Sequence, residues 1–338
     1  MAAAFSLSGT GSALLIPATA LTPIWTGDAD GRPRRILETG ALGSLRWWME
    51  ALARGVGASV PDPVETHPIY DPAHPSRLDA VSQVFGATGW RRRFRLLIEG
   101  GQPRPIPSTV TITEPDPSGQ AHTSHWYYGK LRDQPRVEVP AGTMGFRILP
   151  GTGFDPSLIA GLLQFIADQA ALGAKAQLGL GVLKLEPRVD TSSLKRWLAT
   201  LNTGRATANT DCPSLDRMFF ARVASPSIEL EESFRIKYHL RRLFAGNADL
   251  RHFLMGEVDR GRRMGAKIIM SHPYGDPPEI RLSGWVPASG PARGASVVPP
   301  IYNYLSSGFK LISWREFDSP RDTIAQISDR LQFAESLL

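Results

Sequence analysis

Lys237, His239 and His252 are the side chains best suited to bond-breaking chemistry, because a metal-independent ribonuclease can run on a histidine pair with a lysine. Nearness in sequence does not by itself place these groups within hydrogen-bond reach of one another. A zinc ligand set would have to come from His122 and His125, spaced i, i+3, with His67 or His74, on loops and without cysteine support. No GxSxG, HExxH or paired-carboxylate motif is present. The residue types point more consistently to holding a polyanion. Nine Lys or Arg lie between 235 and 267 (Arg235, Lys237, Arg241, Arg242, Arg251, Arg260, Arg262, Arg263, Lys267) against Asp249, Glu257 and Asp259, which accounts for the whole net charge of +6. Concentrated basicity favours a polyanionic partner; the rival is a solvated helix face.

Three further groups have the right chemistry. Gly40-Ala-Leu-Gly43-Ser44 is read as preceding a helix, where free amides and the positive dipole end would meet a phosphate, with Arg46 and Trp47 just beyond. An ordinary helix cap and a packed tryptophan are the alternatives. Arg91, Arg92 and Arg93 open the run Arg91–Ile98, whose alternation puts Phe94, Leu96 and Ile98 on one face and Arg91, Arg93 and Arg95 on the other, a cationic track for phosphates. Gly173-Ala-Lys-Ala-Gln-Leu-Gly-Leu-Gly181 follows a helix and enters a strand, the reverse of a P-loop or Rossmann context, but its glycines permit close approach and Lys175 and Gln177 can reach a ribose-phosphate backbone.

The elements that would position these groups read as a β-α-β-β-α-β series with long insertions. A strand is expected over 12–21, a helix from Ser44 with Leu45, Trp48, Met49 and Leu52 inward, a short helix over 79–85, a strand over 91–98, a strand near 145–149, a helix capped by Asp155 and ended by Gly173, and a strand over 182–185. Arg46, Glu50 and Arg54, at i, i+4, i+8, read as a salt-bridge stripe on the helix surface. Residues 103–117 read as a proline-rich insertion and 186–213 as a polar connector. A second mixed unit follows, with patterned segments over 218–223 and 235–244, a helix around 250–255, strands over 267–271, 280–286 and 309–317, and a last helix from Ser319-Pro320. The fold class expected is α+β: two ferredoxin-like, RRM-like units, with domains over 1–187 and 214–338, each leaving one sheet face open for RNA.

With 338 residues, 42% hydrophobic and 21% charged, the chain has ordinary globular composition and length for two cores. Its one cysteine, Cys212, excludes an internal disulfide and fits a reducing, cytoplasmic compartment. Leu14-Leu15-Ile16 before Ala18-Thr19-Ala20 faintly imitates an export signal, but residues 1–31 hold no Lys or Arg and Pro17 interrupts the run. No stretch approaches the ~18 apolar residues of a membrane span.

Several segments in order resemble one family. Thr22-Pro-Ile-Trp-Thr-Gly-Asp28, Glu38–Arg54, Phe85-Gly-Ala-Thr-Gly-Trp-Arg-Arg-Arg-Phe-Arg95, Gly173–Gly181, Leu240-Arg-Arg-Leu-Phe244 with Arg251-His-Phe-Leu-Met-Gly256, and Ile280-Arg-Leu-Ser-Gly-Trp-Val-Pro287 are similar to the first RAMP-type subunit of type III-B CRISPR (Cmr) effector complexes. The resemblance implies a pair of ferredoxin-like units contacting guide RNA or target RNA at one end of a filament, alongside other Cmr subunits, without a cofactor and without nuclease activity of its own. The glycine-rich loop expected near a RAMP carboxyl terminus is not obvious after Gly294. Under this reading the RNA contacts are Gly43, Ser44, Arg46, Trp47, Arg91, Arg92, Arg93, Lys175, Gln177, Lys237, Arg241, Arg242, Arg251, His252 and Lys267. The rivals are a metal-independent repeat-RNA endoribonuclease using His239 and His252, and an adaptor that only caps the filament.

Overall fold

The computed structural model describes residues 12–62, 68–116, 118–128, 135–205, 211–259 and 262–338, with backbone alone at 258, 259, 262 and 263. His67 and Arg260, and the side chains of Arg262 and Arg263, therefore lie outside the described residues.

Period-two alternation of apolar residues lays down the first sheet. In chain order the elements are β1 (Leu14–Ala20), α1 (Glu38–Gly55), α2 (Ala80–Phe85), β2 (Phe94–Pro107), β3 (Thr109–Pro115), β4 (Ala121–Tyr127), β5 (Arg136–Pro150), α3 (Ser157–Gln169) and β6 (Leu183–Leu185). The sheet runs β2-β5-β1-β6 and is antiparallel throughout, the ferredoxin-like order, with the β3–β4 hairpin inserted between its second and third strands. Ile16, Ala18, Leu96, Phe146 and Ile148 point to the face that α1 and α3 cover, while Leu15 and Arg95 point away.

The second half repeats the plan. After α4 (Ser192–Leu201) come β7 (Met218–Ala224), α5 (Glu231–Arg242), α6 (Ala248–Met255), β8 (Glu257–Asp259), β9 (Arg262–Met264), β10 (Ile268–Met270), β11 (Glu279–Trp285), α7 (Val298–Gly308), β12 (Leu311–Glu316) and α8 (Arg330–Ser336). The sheet order β10-β11-β7-β12 is again ferredoxin-like and antiparallel. The protein is thus α+β, two ferredoxin-like units with long insertions.

The way the units meet differs from two modules with two open faces. Along β7 successive side chains divide between two cores: Phe219, Ala221 and Val223 pack with the second unit's helices, whereas Met218 and Phe220 join the first unit's core. Phe220 lies 6.3 Å from the ring of Trp48 on α1 and 6.1 Å from that of Phe165 on α3. The second sheet's free face is therefore spent on the first unit's helices. Arg281 on β11, buried on that face, donates through Nη1 to the carbonyls of Ala167 (2.8 Å) and Ala170 (3.0 Å) at the end of α3, satisfying acceptors that the helix leaves open. At the carboxyl end α8 returns to the first core through Phe333, Ala334 and Leu337. A third cluster joins the inserted hairpin (Val110, Ile112) to Phe234 and Tyr238 of α5.

Several local expectations change. Helix α1 begins at Glu38 and not at Ser44, because the Leu37 amide is tied to Thr26 Oγ1 at 2.6 Å and the turn is set there; the Gly43 and Ser44 amides lie inside the helix. The Arg46–Glu50–Arg54 row runs inward from a half-buried Arg46 and is not superficial: Glu50 is buried, and Arg54 is 1% exposed and donates to the carbonyls of Val60, Pro61 and Pro213. Arg46 spans Glu50 (2.9 Å), the Gly86 carbonyl (2.9 Å) and Ser82 Oγ (3.0 Å). Strand β2 starts at Phe94, so Arg91–Arg93 precede it, and β2 with β3 takes up most of the proline-rich insertion. Helix α3 ends at Gln169, before Gly173. The polar connector contains α4, whose Leu194 and Leu198 enter the first core. Ser319-Pro320 does not start a helix; Ser319 is buried on Glu316, and α8 begins at Arg330 behind the cap Asp329.

Candidate nucleic-acid interface

Burying one sheet face leaves a seam between the units, and much of the predicted chemistry gathers along it. A groove of about 390 Å³ runs between the start of α1 and the glycine-rich loop on one side and β10–β11 on the other. Gly43, Ser44 and Trp47 line it from α1, Ala174 and Ala176 from the loop, and Lys267, Ser283 and Trp285 from the second unit. Trp47, 37% exposed, stands edge-on to Trp48 at 4.6 Å; Trp48 is buried and donates to the Ala171 carbonyl at 3.3 Å, which fixes the outer ring. A side chain at Gly43 would meet nothing within 4 Å, so the groove is open there and its backbone is approachable.

Across the groove Lys267 donates to the Phe253 carbonyl at 2.9 Å, with its ammonium 3.8 Å from the Phe253 ring and 6.0 Å from that of Trp285. Burial holds its pKa below the usual lysine value, and no carboxylate neutralises it among the described residues. An exposed indole, a second tryptophan and a lysine without a counter-ion can stack a base and attract a phosphate.

The glycine-rich loop is built from the other side. Lys175 sits in the left-handed region (φ 59°), hydrogen-bonded to the Tyr128 carbonyl and 3.9 Å from the Trp25 ring; burial lowers its pKa to about 8. Gly179 (φ +96°) lies flat against His272, where an added Cβ would come 1.9 Å from the ring, so only glycine fits. The Tyr128 hydroxyl donates to the Leu178 carbonyl at 2.9 Å and lies 2.6 Å from His272 Nε2, which therefore carries the proton of that contact. Burial pushes the His272 pKa down to about 4 and the Tyr128 phenol well above its ordinary range. The loop is thus a joint between the units as well as a groove wall.

The basic residues of α5 and α6 form a second group beyond that joint. Lys237 is buried and donates to the Gln177 carbonyl at 2.5 Å; burial, then Arg241, lowers its pKa to about 7. Arg241 is half-buried, its pKa lowered by burial and then by Arg251, and Arg251 Nη2 is 3.3 Å from His252 Nε2. Arg251 Nε and His252 Nδ1 are buried without a hydrogen-bond partner among the described residues, and the nearest carboxylate to His252 Nδ1 is that of Glu257 at 3.7 Å. Arg242 turns away to the Pro115 carbonyl and the Tyr238 ring. At the start of β2, Arg91 is exposed, Arg92 binds the Phe94 carbonyl (2.7 Å) and Arg93 that of Thr152 (2.9 Å).

The structure thus brings Gly43, Ser44, Trp47 and Lys267 onto one groove with the backbone beside Lys175, gathers Gln177, Lys237, Arg241, Arg251 and His252 around the joint, and keeps Arg46 and Arg91–Arg93 apart from both. Trp285 and Thr26 were not predicted as contacts, although Trp285 lies in the Ile280–Pro287 segment that carries the family resemblance. The two histidines of the ribonuclease rival have separate partners: His239 Nε2 is 3.3 Å from Glu114 on the hairpin, His252 Nδ1 3.7 Å from Glu257. His74 pairs with Asp71, His125 with Thr111, and His122 stacks on Tyr238, and no metal-holding cluster occurs among the described residues.

A family model for the RAMP superfamily matches residues 18–184, from within β1 to within β6. The matched segment takes in nearly all of the first sheet, both helices on it and the whole glycine-rich loop. The fold of the chain is similar to that of Cmr1 from Pyrococcus furiosus, with 14% identity, a TM-score of 0.52, and coverage of 89% of this chain and 98% of that one. It is also similar, at 10% identity and a TM-score of 0.45, to a chain of a type III-B Cmr-beta complex bound to cognate target RNA and AMPPnP in the presence of ssDNA, covering 88% of this chain and 100% of that one. No curated protein matches the sequence. Among the described residues no helix is long and apolar enough to cross a membrane.

Proposed function

We propose that the protein is a non-catalytic RNA-binding subunit of a cytoplasmic type III-B CRISPR (Cmr) effector complex, holding guide or target RNA in the groove between its two units. The observation that carries this reading is the convergence of Gly43, Ser44, Trp47 and Lys267, drawn from both halves of the chain, on one open seam. The RAMP-superfamily match over residues 18–184 and the fold likeness to a Cmr1 protein support the assignment to that complex. The contacts offered are an indole face, a lysine and backbone, which grip ribose-phosphate and stack any base, so sequence choice is left to guide–target pairing. His239 and His252, each tied to a different carboxylate, give no acid–base pair, and a bound RNA is expected to survive intact.

The test is fluorescence anisotropy of the full chain with several labelled single-stranded RNAs of unrelated sequence. Combining Trp47→Ala with Lys267→Ala should weaken all of them by a similar factor, on the order of 10- to 100-fold at ~0.1 M salt. Sequence-selective loss, unchanged affinity, or cleavage of RNA without metal that His239→Ala abolishes would each reject the reading. If RNA does not bind and does not crosslink to the chain inside an assembled complex, the protein is an adaptor.

A further inference from the structure

A second concavity lies one turn beyond the groove. Thr26 and Gly27 line the groove itself, and the chain then makes a tight turn before reaching Arg32, Pro33 and Arg34, which with Pro103, Arg136 and Glu138 line a cavity of about 370 Å³. The turn is held from within: the Asp28 amide donates to the Arg32 carbonyl (3.0 Å), and Asp28 Oδ1 accepts from the amides of Asp30 (3.0 Å) and Arg32 (2.8 Å). Asp28 and Asp30 are engaged with Arg34, at 2.7 and 3.3 Å. The Arg32 and Arg136 side chains, both exposed, make no hydrogen bond or ion pair among the described residues.

Three guanidiniums from two distant segments therefore surround one cavity, with Glu138 the one carboxylate in its lining among the described residues; Asp30 pairs with Arg34, and Asp28 pairs with Arg34 while also feeling the charge of Arg32. Keeping like charges side by side on a braced turn is unfavourable unless an anion spends time between them. The prolines add flat apolar walls but no amide donor, so the guanidiniums are left to hold it. An acidic peptide would meet the arginines equally well. A nucleic-acid strand is favoured because one short turn carries the chain from the groove lining at residues 26 and 27 to the cavity lining at residues 32–34, and a phosphodiester chain carries one charge per repeat along such a path.

We propose that Arg32, Arg34 and Arg136 form a phosphate-binding site that receives the RNA strand as it leaves the groove. This rests on the proposed function of the groove, and it extends the RNA footprint onto a surface made by the first unit alone. The site contacts phosphate and not bases. Arg32 and Arg136 supply the charge, and Arg34, anchored by two aspartates, supplies shape.

The experiment compares two labelled oligouridylates on the full chain, one of about 5 nucleotides and one of about 20, a length range bracketing what one single-strand site holds. The Arg32→Ala/Arg136→Ala double variant should bind the long RNA roughly ten-fold more weakly at ~0.1 M salt and lower its log–log salt slope by about 1.4, the value for two phosphate contacts on a single strand, while leaving the short RNA unaffected. The Trp47→Ala/Lys267→Ala variant should weaken both. If the arginine variant binds the long RNA like the parent, the phosphate site is wrong and the groove stands. If only the arginine variant loses affinity, the groove reading fails and the phosphate site stands. Equal loss of the long and short RNA in the arginine variant, with unchanged thermal melting, would overturn the assignment of an exit path. Displacement of the long RNA by polyglutamate at charge concentrations matching an RNA competitor, lost in the arginine variant, would reassign the site to acidic protein segments.

Discussion

Lys237 shows how far a basic residue can be from a surface patch while reading like part of one. Its position two residues from Arg235 and four from Arg241 predicts a cationic stripe, yet α5 turns it inward, to 6% exposure, where the Gln177 carbonyl is its acceptor. Burial, helped by Arg241, lowers its pKa to about 7. The unfolded chain therefore holds this proton between about pH 7 and 10.5 where the folded chain gives it up, so stability must rise with pH across that window. Lys175, lowered to about 8, acts in the same direction, whereas the raised Tyr128 phenol opposes it only above its ordinary range. Urea midpoints measured from about pH 6.5 to 9.5 are expected to climb for the parent and to climb less for Lys237→Met. Parallel curves for the two proteins would show that the buried ammonium is not paying this cost.

At the scale of elements, the first half was largely legible and the second less so, for physical reasons. Strands β1, β5 and β6 and helices α1 and α3 alternate or repeat strongly enough to be found from side-chain period alone, and the ferredoxin-like order followed from them. Helix α4 was hidden because its Leu194, Trp197, Leu198 and Leu201 lie between Thr-, Ser- and Asn-rich flanks. Helix α7 opens Val298-Pro299-Pro300, which looks like a loop, although proline in a first turn costs no hydrogen bond. Trp47 and Lys267, which the fold brings onto one groove, stand out in the sequence because their types suit RNA. That Arg46 belongs to a buried network was not legible, since its partners Ser82 and Gly86 come from a distant stretch of chain. The same holds for Arg281, read as part of a strand and found capping a helix of the other unit. Replacing it with Met leaves the Ala167 and Ala170 carbonyls buried without a donor, and chemical denaturation should register a loss of about 2–4 kcal/mol. Arg281→Lys should recover part of it. A loss below ~0.5 kcal/mol, as at an ordinary surface site, would mean that α3 does not depend on this donor.

At the scale of the molecule, the two units share one structure. Helices α1 and α3 are covered by the second sheet, α8 crosses back to the first core, and the hairpin reaches α5. Truncation after residue 187 would expose the α1 and α3 surfaces that meet Phe220 and remove the α4 and α8 side chains from the first core. The fragment is expected to aggregate or to lack a cooperative melt, and the full chain to unfold in a single transition by both circular dichroism and tryptophan fluorescence. A fragment that melts sharply on its own would refute this dependence.

The covered face of the second sheet also sets a valency. Two RRM-like modules joined by a flexible tether could engage a strand twice and gain avidity from the linkage. Here the free face of one sheet docks its twin, so a strand held as proposed would be engaged once, in a seam whose geometry cannot drift with a linker.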